Sequence, residues 1–288
     1  MDFRLRAIAS IPILNLDTPT TKSMNYLLLS SLSFVVGTLV GLTGIGGASL
    51  LTPMLIFGFQ VPPSIAVSSD VMAATLMKVV GGVKHWKQET LDLQVVKWLA
   101  FGSVPGSLTG VGILHILRRT QDVNLDSILL HSIGVAILLV ASIALVQLLL
   151  LTFIPQFQLP SVPKFDLDTY QGRVLTVSVG AVLGCIVGLT SVSSGSMFAL
   201  VLITFFQLDA RKLVGTDIVQ AAILLGFTAL GHLTLGTVQW NLVVPIWIGS
   251  IPGVLLGSRL CQVVPQRVLR FLIYSTLVMV SWKMAHQA

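Results

Sequence analysis

The sequence repeats itself at an offset of 147 residues, which carries Asp70 onto Asp217 without a gap. About 20 identities fall within about 74 aligned positions, and they include polar as well as apolar residues. Chance similarity between apolar stretches would not also place His232 on His85. The chain is therefore an internal duplication, and its fold must be built from two equivalent units.

Each unit opens with an apolar run that is interrupted at its centre. Within the first run, 25–59, residues 41–49 read Gly-Leu-Thr-Gly-Ile-Gly-Gly-Ala-Ser. Each glycine inside a helix costs about 1 kcal/mol relative to alanine, so four glycines in nine residues predict a break. In the second run, 173–206, the break falls near 191–195 and is rich in serine instead of glycine.

The composition indicates the environment of these runs. The 288 residues are 54% hydrophobic and 10% charged, whereas a soluble domain carries about 25% charged residues. An integral membrane protein is therefore predicted, and at about 20 residues per span the apolar length allows about eight crossings. The net charge of +6 comes from basic residues scattered between apolar runs, which does not indicate nucleic-acid binding.

We predict an all-α, polytopic integral membrane protein with about eight transmembrane segments in two homologous four-segment repeats, each opening with a broken helix. An N-terminal tail covers residues 1–24, the first repeat 25–154, a linker 155–172 and the second repeat 173–288. If each broken segment crosses the membrane, the repeats share one orientation. If each is a re-entrant hairpin, the repeats are inverted, and the distribution of positive charge does not decide between the two.

Paired breaks in a duplicated membrane protein predict a transport site near the midplane, where the breaks face each other. A non-helical gap survives in lipid only inside protein or beside a wet cavity. Backbone N–H groups at the first break suit an anion, and serine hydroxyls supply the opposite wall. The predicted substrate-binding residues of the two breaks are Thr43, Gly44, Gly46, Gly47, Ser49, Thr190, Ser191, Ser193, Ser194 and Ser196.

Glycines at four-residue spacing have a different interpretation. They follow the pattern by which transmembrane helices pack with their backbones in close approach, so we predict a packing role for them. The first-half members of this set, each with a repeat mate, are Gly37, Gly41, Gly102, Gly106 and Gly110.

Asp70 and Asp217 are predicted to start the helix that follows each break. A carboxylate within a span is energetically expensive and is a functional candidate by default. The alternative is a helix-start carboxylate stabilised by nearby backbone N–H groups. A carboxyl that holds a proton when the anion binds would link proton movement to transport, so both aspartates are candidates for proton coupling.

Lys78 lies on the same broad helix face as Asp70, about 12 Å further along the axis. It either attracts a dianion or neutralises Asp70 or Asp217. His85 and His232 lie near helix ends and are secondary candidates, for which an interfacial role is favoured. The sequence has no HExxH motif and no Cys/His cluster, so neither a metal nor a cofactor is predicted.

At these residues the chain resembles the sulfite exporter TauE/SafE family, also called the four-toluene-sulfonate uptake permeases. The resemblance lies in the glycine-rich break followed by Pro53, in Val-Ser-Ser-Asp at 67–70, in Val-Gly-Thr-Asp at 214–217, and in the Gly-x-x-Pro-Gly-x-x-x-Gly run of each half. It extends from about residue 25 to about residue 284. It implies a seven- or eight-helix permease of two four-helix units that moves sulfite, thiosulfate, sulfoacetate or other sulfonates.

The predicted function is a secondary membrane transporter for small sulfur-containing anions, linked to protons and located in the plasma membrane. Its predicted partners are the anion, protons and the lipid bilayer. A passive anion channel and a non-transporting membrane assembly subunit are the alternatives. An intramembrane aspartyl protease is disfavoured because neither Asp70 nor Asp217 follows the Gly-x-Gly pattern of such enzymes, so no enzyme activity is predicted.

Overall fold

The computed structural model describes residues 25–43, 47–87, 89, 91–119, 124–153, 164–192, 196–206, 208, 210–260 and 266–286. Ten α-helices cover most of these described residues, and none of those residues lies in a β-strand. The helices of the first half are α1 (Tyr26–Thr43), α2 (Ala48–Pro53), α3 (Pro63–Lys87), α4 (Leu93–Arg119) and α5 (Leu125–Phe153). Those of the second half are α6 (Tyr170–Thr190), α7 (Ser196–Val201), α8 (Ala210–Leu235), α9 (Trp240–Leu260) and α10 (Gln266–His286).

Several of these helices suit a membrane by length and composition. Within the described residues, six are long and apolar enough to cross one: Pro63–Lys87, Leu93–Arg119, Leu125–Leu150, Tyr170–Thr190, Lys212–Leu235 and Trp240–Gly257. Shorter apolar helices cover Tyr26–Leu42, Ser49–Gly58 and Met197–Phe206. The all-α, multi-pass membrane architecture is confirmed, and the count of about eight segments stays a prediction.

Described helices flank both predicted breaks. Helix α1 ends at Thr43 and α2 begins at Ala48, whereas α6 ends at Thr190 and α7 begins at Ser196; residues 44–46 and 193–195 lie outside the described residues. Gly41 remains in the last turn of α1. The short helices α2 and α7 each continue into a π-helical turn, Met54–Gly58 and Leu202–Phe206.

Helices α6 and α7 form a hairpin. The backbone N–H of Phe165, just before α6, donates to the carbonyl of Phe205 at 3.0 Å, and the two rings stack at 4.4 Å. The π-helical turn that follows α7 therefore lies beside the beginning of α6. Helix α6 begins at Tyr170, before the predicted repeat boundary at 173, because the Thr169 side chain caps it by accepting from the Gly172 N–H at 3.1 Å.

Helices α3 and α8 pack against each other in opposite directions at the centre of the molecule. The Thr75 hydroxyl donates to the Leu225 carbonyl at 3.1 Å, while Gly81, further along α3, lies against Ile218, earlier in α8. Around this pair, α4 packs on α6 and α9 packs on α1, so each of these pairs joins one helix from either half. Helix α10 packs on α5.

Glycine lets the backbones touch in both cross-half pairs. A Cβ at Gly106 of α4 would come within 3.0 Å of the Ala181 backbone, and a Cβ at Gly253 of α9 would come equally close to the Phe34 backbone. In the first pair, Gly102, Gly106 and Gly110 face Val177, Ala181 and Cys185 in that order, and in the second pair Gly249, Gly253 and Gly257 face Ser30, Phe34 and Thr38. The two helices of each pair therefore run parallel. Other glycines with equally close backbone neighbours are Gly102, Gly110, Gly180, Gly184 and Gly188 in one pair and Gly37, Gly249 and Gly257 in the other.

The packing role predicted for the spaced glycines is thus confirmed for Gly37, Gly102, Gly106 and Gly110. In lipid the hydrophobic effect does not drive helices together, so close van der Waals contact between backbones contributes a large share of the association. The contacts of the two interfaces are related by the sequence offset: Gly106 meets Ala181 in one, and Gly253 meets Phe34 in the other.

Candidate functional site

Asp70 is the centre of a buried polar cluster. It lies on α3, and its Oδ2 accepts hydrogen bonds from the Thr52 hydroxyl at 2.6 Å and from the Ser191 hydroxyl at 3.0 Å. Its Oδ1 is buried with no hydrogen-bond partner among the described residues. Thr52 belongs to α2, directly after the first break, and Ser191 directly follows α6 at the second. One carboxyl group therefore connects both breaks.

Ser191 holds an unusual backbone conformation at this position. Its φ of 59° is left-handed, and its N–H closes the end of α6 by donating to the Val187 carbonyl. A non-glycine residue in this region costs about 1–2 kcal/mol. Gly44 is the aligned residue of the first half. The serine thus occupies a position that suits glycine, and its hydroxyl binds Asp70, a combination typical of functional sites.

Asp217, the repeat mate of Asp70, has a different environment. Its Oδ2 lies 3.5 Å from Nζ of Lys78, and the two side chains are 10% and 19% exposed. Its Oδ1 is buried and has no hydrogen-bond partner within the described chain. Of the roles that the sequence left open for Lys78, the structure shows charge compensation of Asp217.

The two aspartates are aligned, but their partners are not. Thr52 and Ser191, which bind Asp70, align with Ala199 and Gly44, and neither of these can donate a side-chain hydrogen bond. Lys78, which pairs with Asp217, aligns with Leu225. At these two aligned positions, one carboxyl therefore meets hydroxyl groups and the other meets an ammonium group.

The residue before each aspartate accepts a hydrogen bond from a backbone N–H in the other half of the chain. The Thr216 hydroxyl accepts from the Asp92 N–H at 2.9 Å, and the Ser69 hydroxyl accepts from the Gln239 N–H at 3.2 Å. These two bonds are related by the offset of 147. They anchor the starts of α4 and α9 beside the buried carboxyls, since Asp92 and Gln239 directly precede those helices.

His232 is part of the core, and the interfacial role favoured from sequence stays a prediction. It is fully buried, with Nε2 3.1 Å from the Gly188 carbonyl and Nδ1 3.0 Å from the Ser68 hydroxyl. A carbonyl oxygen only accepts, so Nε2 carries the hydrogen. His232 of α8 thereby connects the end of α6 with α3, where its partner Ser68 lies two residues before Asp70. Its mate His85 is half-buried.

The predicted position of the aspartates at helix starts is also wrong. Helix α3 begins at Pro63 and α8 at Ala210, so Asp70 and Asp217 lie about two turns inside their helices. Backbone N–H groups in a helix interior are already bonded within the helix. The hydrogen-bond and ion-pair partners of both carboxyls are side chains, and Thr52 and Ser191 come from other elements than α3.

The other predicted binding residues lie in different parts of the structure. Gly44, Gly46, Ser193 and Ser194 lie outside the described residues. Thr43 ends α1, Gly47 precedes α2 and Ser196 begins α7. The Thr190 hydroxyl donates to the Ile186 carbonyl at 2.7 Å, and Ser49 is buried in α2.

Sequence reasoning missed Thr52 and Ser68. The only signal for Thr52 was its divergence from Ala199 within an otherwise similar repeat, and Ser68 differs from Gly215 in the same way. Among the residues that the structure describes, no group of three or more His, Cys, Asp or Glu side chains could hold a metal ion.

Comparison with known proteins agrees with this architecture. The family model for the sulfite exporter TauE/SafE matches residues 29–284. The probable membrane transporter protein YjnA of Bacillus subtilis is 38% identical over 250 residues, which cover 86% of this chain and 95% of that protein. The probable membrane transporter protein YdhB of the same organism is 23% identical over 251 residues, which cover 87% and 96%. No solved structure matches the chain.

Proposed function

The chain belongs to the sulfite exporter TauE/SafE family of membrane transporters, and we propose that it carries small sulfur-containing anions, such as sulfite, thiosulfate or organosulfonates, across the plasma membrane. The transport is secondary and linked to protons. The observation that carries this proposal is the Asp70 carboxyl, which accepts hydrogen bonds from the hydroxyl of Thr52, after the first break, and from that of Ser191, at the second.

The anion site lies between the two helix breaks. Thr52, which follows the first break, and Ser191, which begins the second, both donate to Oδ2 of Asp70, so residues that flank the two breaks are close in space. Non-helical backbone at membrane depth is tolerated where it lines a cavity, and half-helix starts offer N–H groups to an anion. Gly47, just before α2, makes no side-chain cap that would occupy those groups.

The two halves form inverted repeats. Helices α3 and α8 are aligned in the repeat, and they pack in opposite directions, as the contacts of Thr75 with Leu225 and of Gly81 with Ile218 require. Equivalent glycine contacts recur at the offset of 147 in both cross-half pairs. Inverted repeats allow alternating access, because rocking of one unit against the other exposes a central site to each side in turn.

We infer proton linkage from the charge of Asp70 beside the residues that flank the two breaks. The Lys78 ammonium compensates Asp217, so an ionised Asp70 leaves one uncompensated negative centre. Such a centre repels an anion at short range and low dielectric. Binding of one proton cancels that excess, so a proton that enters with the anion makes anion binding favourable.

A thermal-shift measurement on the purified protein in detergent tests the substrate class. Sulfite, thiosulfate, sulfoacetate, sulfate and chloride are added separately at two pH values, because a ligand that binds only the folded state stabilises it by mass action. We expect a selective shift with a sulfur oxyanion, and a larger shift at the lower pH. A shift of equal size at both pH values would contradict proton linkage, and a shift with chloride alone would favour the channel.

The location of the site is tested by Gly46→Leu, with Gly112→Leu as the control. A Cβ at Gly112 would meet nothing within 4 Å. We expect Gly46→Leu to insert in the membrane and to lose anion flux in proteoliposomes, while Gly112→Leu retains flux. Flux at the level of the control in Gly46→Leu would exclude a site at the first break and would favour a non-transporting role for that region.

A further inference from the structure

We propose that the two aligned aspartates have separate tasks: Asp70 carries the transported proton and controls the backbone conformation of Ser191 at the end of α6, whereas Asp217 is the fixed counter-ion of Lys78. The inference rests on the proton-linked transport proposed above. It goes further because it assigns the proton to one of two aligned carboxyls and identifies the residue through which that carboxyl acts.

The partners of the two carboxyls carry this assignment. Asp217 lies 3.5 Å from an ammonium group, so its negative charge is compensated in the buried site. The partners found for Asp70 are two neutral hydroxyl groups, which stabilise a carboxylate without cancelling its charge. A proton on Asp70 removes a buried net charge, whereas a proton on Asp217 would leave Lys78 as an uncompensated cation. The first of these changes costs less.

Four other titratable groups on α3, α5 and α8 have partners of their own. From α8, His232 reaches α3 through Ser68. From α5, Asp126 accepts from the Ser64 N–H at 3.0 Å. Asp217 of α8 and Lys78 of α3 pair with each other. Within the described residues, none of these four groups makes a hydrogen bond or an ion pair with the Asp70 carboxyl.

The proton has a defined place on Asp70. Oδ2 already accepts two hydroxyl groups, and Oδ1 is buried with no partner among the described residues. A proton that arrives with the anion forms an O–H bond at Oδ1 and converts the carboxylate to a neutral carboxyl group. When the carboxyl releases that proton, the same bond breaks and the carboxylate is restored.

Ser191 transmits this change to the second break. Hydrogen bonds to an ionised carboxylate are about twice as strong as those to a neutral acceptor, so protonation weakens the bond from Ser191. The left-handed backbone of Ser191 is unfavourable for a serine and loses support when that bond weakens. The backbone of Ser191 is then able to leave the left-handed region, which links the proton on Asp70 to a change of conformation at the end of α6.

Infrared titration tests the proton assignment without depending on transport. The carbonyl stretch of protonated carboxyl groups is followed from low to high pH in wild type, Asp70→Asn and Asp217→Asn. We expect a titrating band in wild type that disappears in Asp70→Asn and persists in Asp217→Asn. Loss of the band in Asp217→Asn alone, partial loss in both variants, or no titrating band in wild type would overturn the assignment.

Flux measurements then separate this inference from the transport proposal. In proteoliposomes we expect wild-type anion flux to depend on pH, and Ser191→Ala to lose that dependence while it keeps the infrared band. Thr228→Ala is the control, because the Thr228 hydroxyl bonds only its own helix, to the Leu224 carbonyl. Wild-type flux independent of pH would reject proton linkage even if Asp70 titrates, whereas unchanged pH dependence in Ser191→Ala would reject only the role of Ser191.

Discussion

The helix interfaces of the two halves are alike, and their polar centres differ. Gly106 meets the Ala181 backbone in one cross-half pair, and Gly253 meets Phe34 in the other, at positions related by the same offset. Asp70 and Asp217 are related by that offset too, yet one binds hydroxyl groups and the other an ammonium group. The two halves therefore make equivalent contacts at the glycine interfaces, where helix backbones touch, and different contacts at the two buried aspartates.

The largest effect is expected from a side chain placed in the matched interfaces. Gly106→Leu and Gly253→Leu should each destabilise the folded protein by about 3 kcal/mol or more, because overpacking against a backbone cannot be relieved by a change of rotamer. The yield of monodisperse protein in size-exclusion chromatography and its midpoint of thermal unfolding report the loss. Gly112→Leu, on the same helix as Gly106, should be close to wild type because its space is open.

The same pair of variants tests whether the interfaces are equivalent. Losses of similar size in Gly106→Leu and Gly253→Leu are expected, since a Cβ meets backbone within 3.0 Å at both positions. A loss in only one of them would show that the two interfaces, despite matching contacts, contribute unequally to the fold.

Next in size is the effect of breaking the ion pair beside Asp217. Asp217→Asn should destabilise the protein by about 3 kcal/mol, because it leaves the largely buried ammonium of Lys78 uncompensated. The double variant Asp217→Leu with Lys78→Leu should recover at least half of that loss, since it removes both charges. The change to leucine at position 78 also introduces the residue type found at the aligned position of the second half, Leu225. Midpoints of thermal unfolding in detergent give the comparison.

Two results would contradict the view that Asp217 is a counter-ion. A double variant less stable than Asp217→Asn would mean that Lys78 has another partner of comparable strength. A single variant as stable as wild type would mean that the pair contributes little to the fold. Asp70→Asn provides the reference, because it removes an aligned carboxyl that has no ammonium partner among the described contacts.

Sequence reasoning predicted the parts of the molecule that depend on local spacing. Glycines every four residues predict backbone contact wherever two helices meet, and Gly106 and Gly253 show this. The ends of α1 and α6 follow from glycine and serine clusters within apolar runs. Both inferences use residues that are neighbours in the chain, so they needed no knowledge of which helices pair.

The charge partners depend on which helices pair, and the sequence leaves that open. Lys78 meets Asp217 only because α3 and α8 pack in opposite directions. Asp70 meets Ser191 only because the second break lies against α3. His232 meets Gly188 and Ser68 only because the end of α8 lies against α6 and α3.

The smallest and most specific effect concerns Ser191, where the first half has Gly44. Ser191→Ala loses the bond to Asp70 and keeps the strained left-handed backbone, whereas Ser191→Gly loses the same bond and relieves the strain. We therefore expect Ser191→Gly to be more stable than Ser191→Ala by about 1 kcal/mol. Chemical unfolding of the two variants under identical conditions measures the difference. Equal stabilities would mean that residue 191 leaves the left-handed region once its hydroxyl is removed, in which case the bond to Asp70 holds the conformation at the second break.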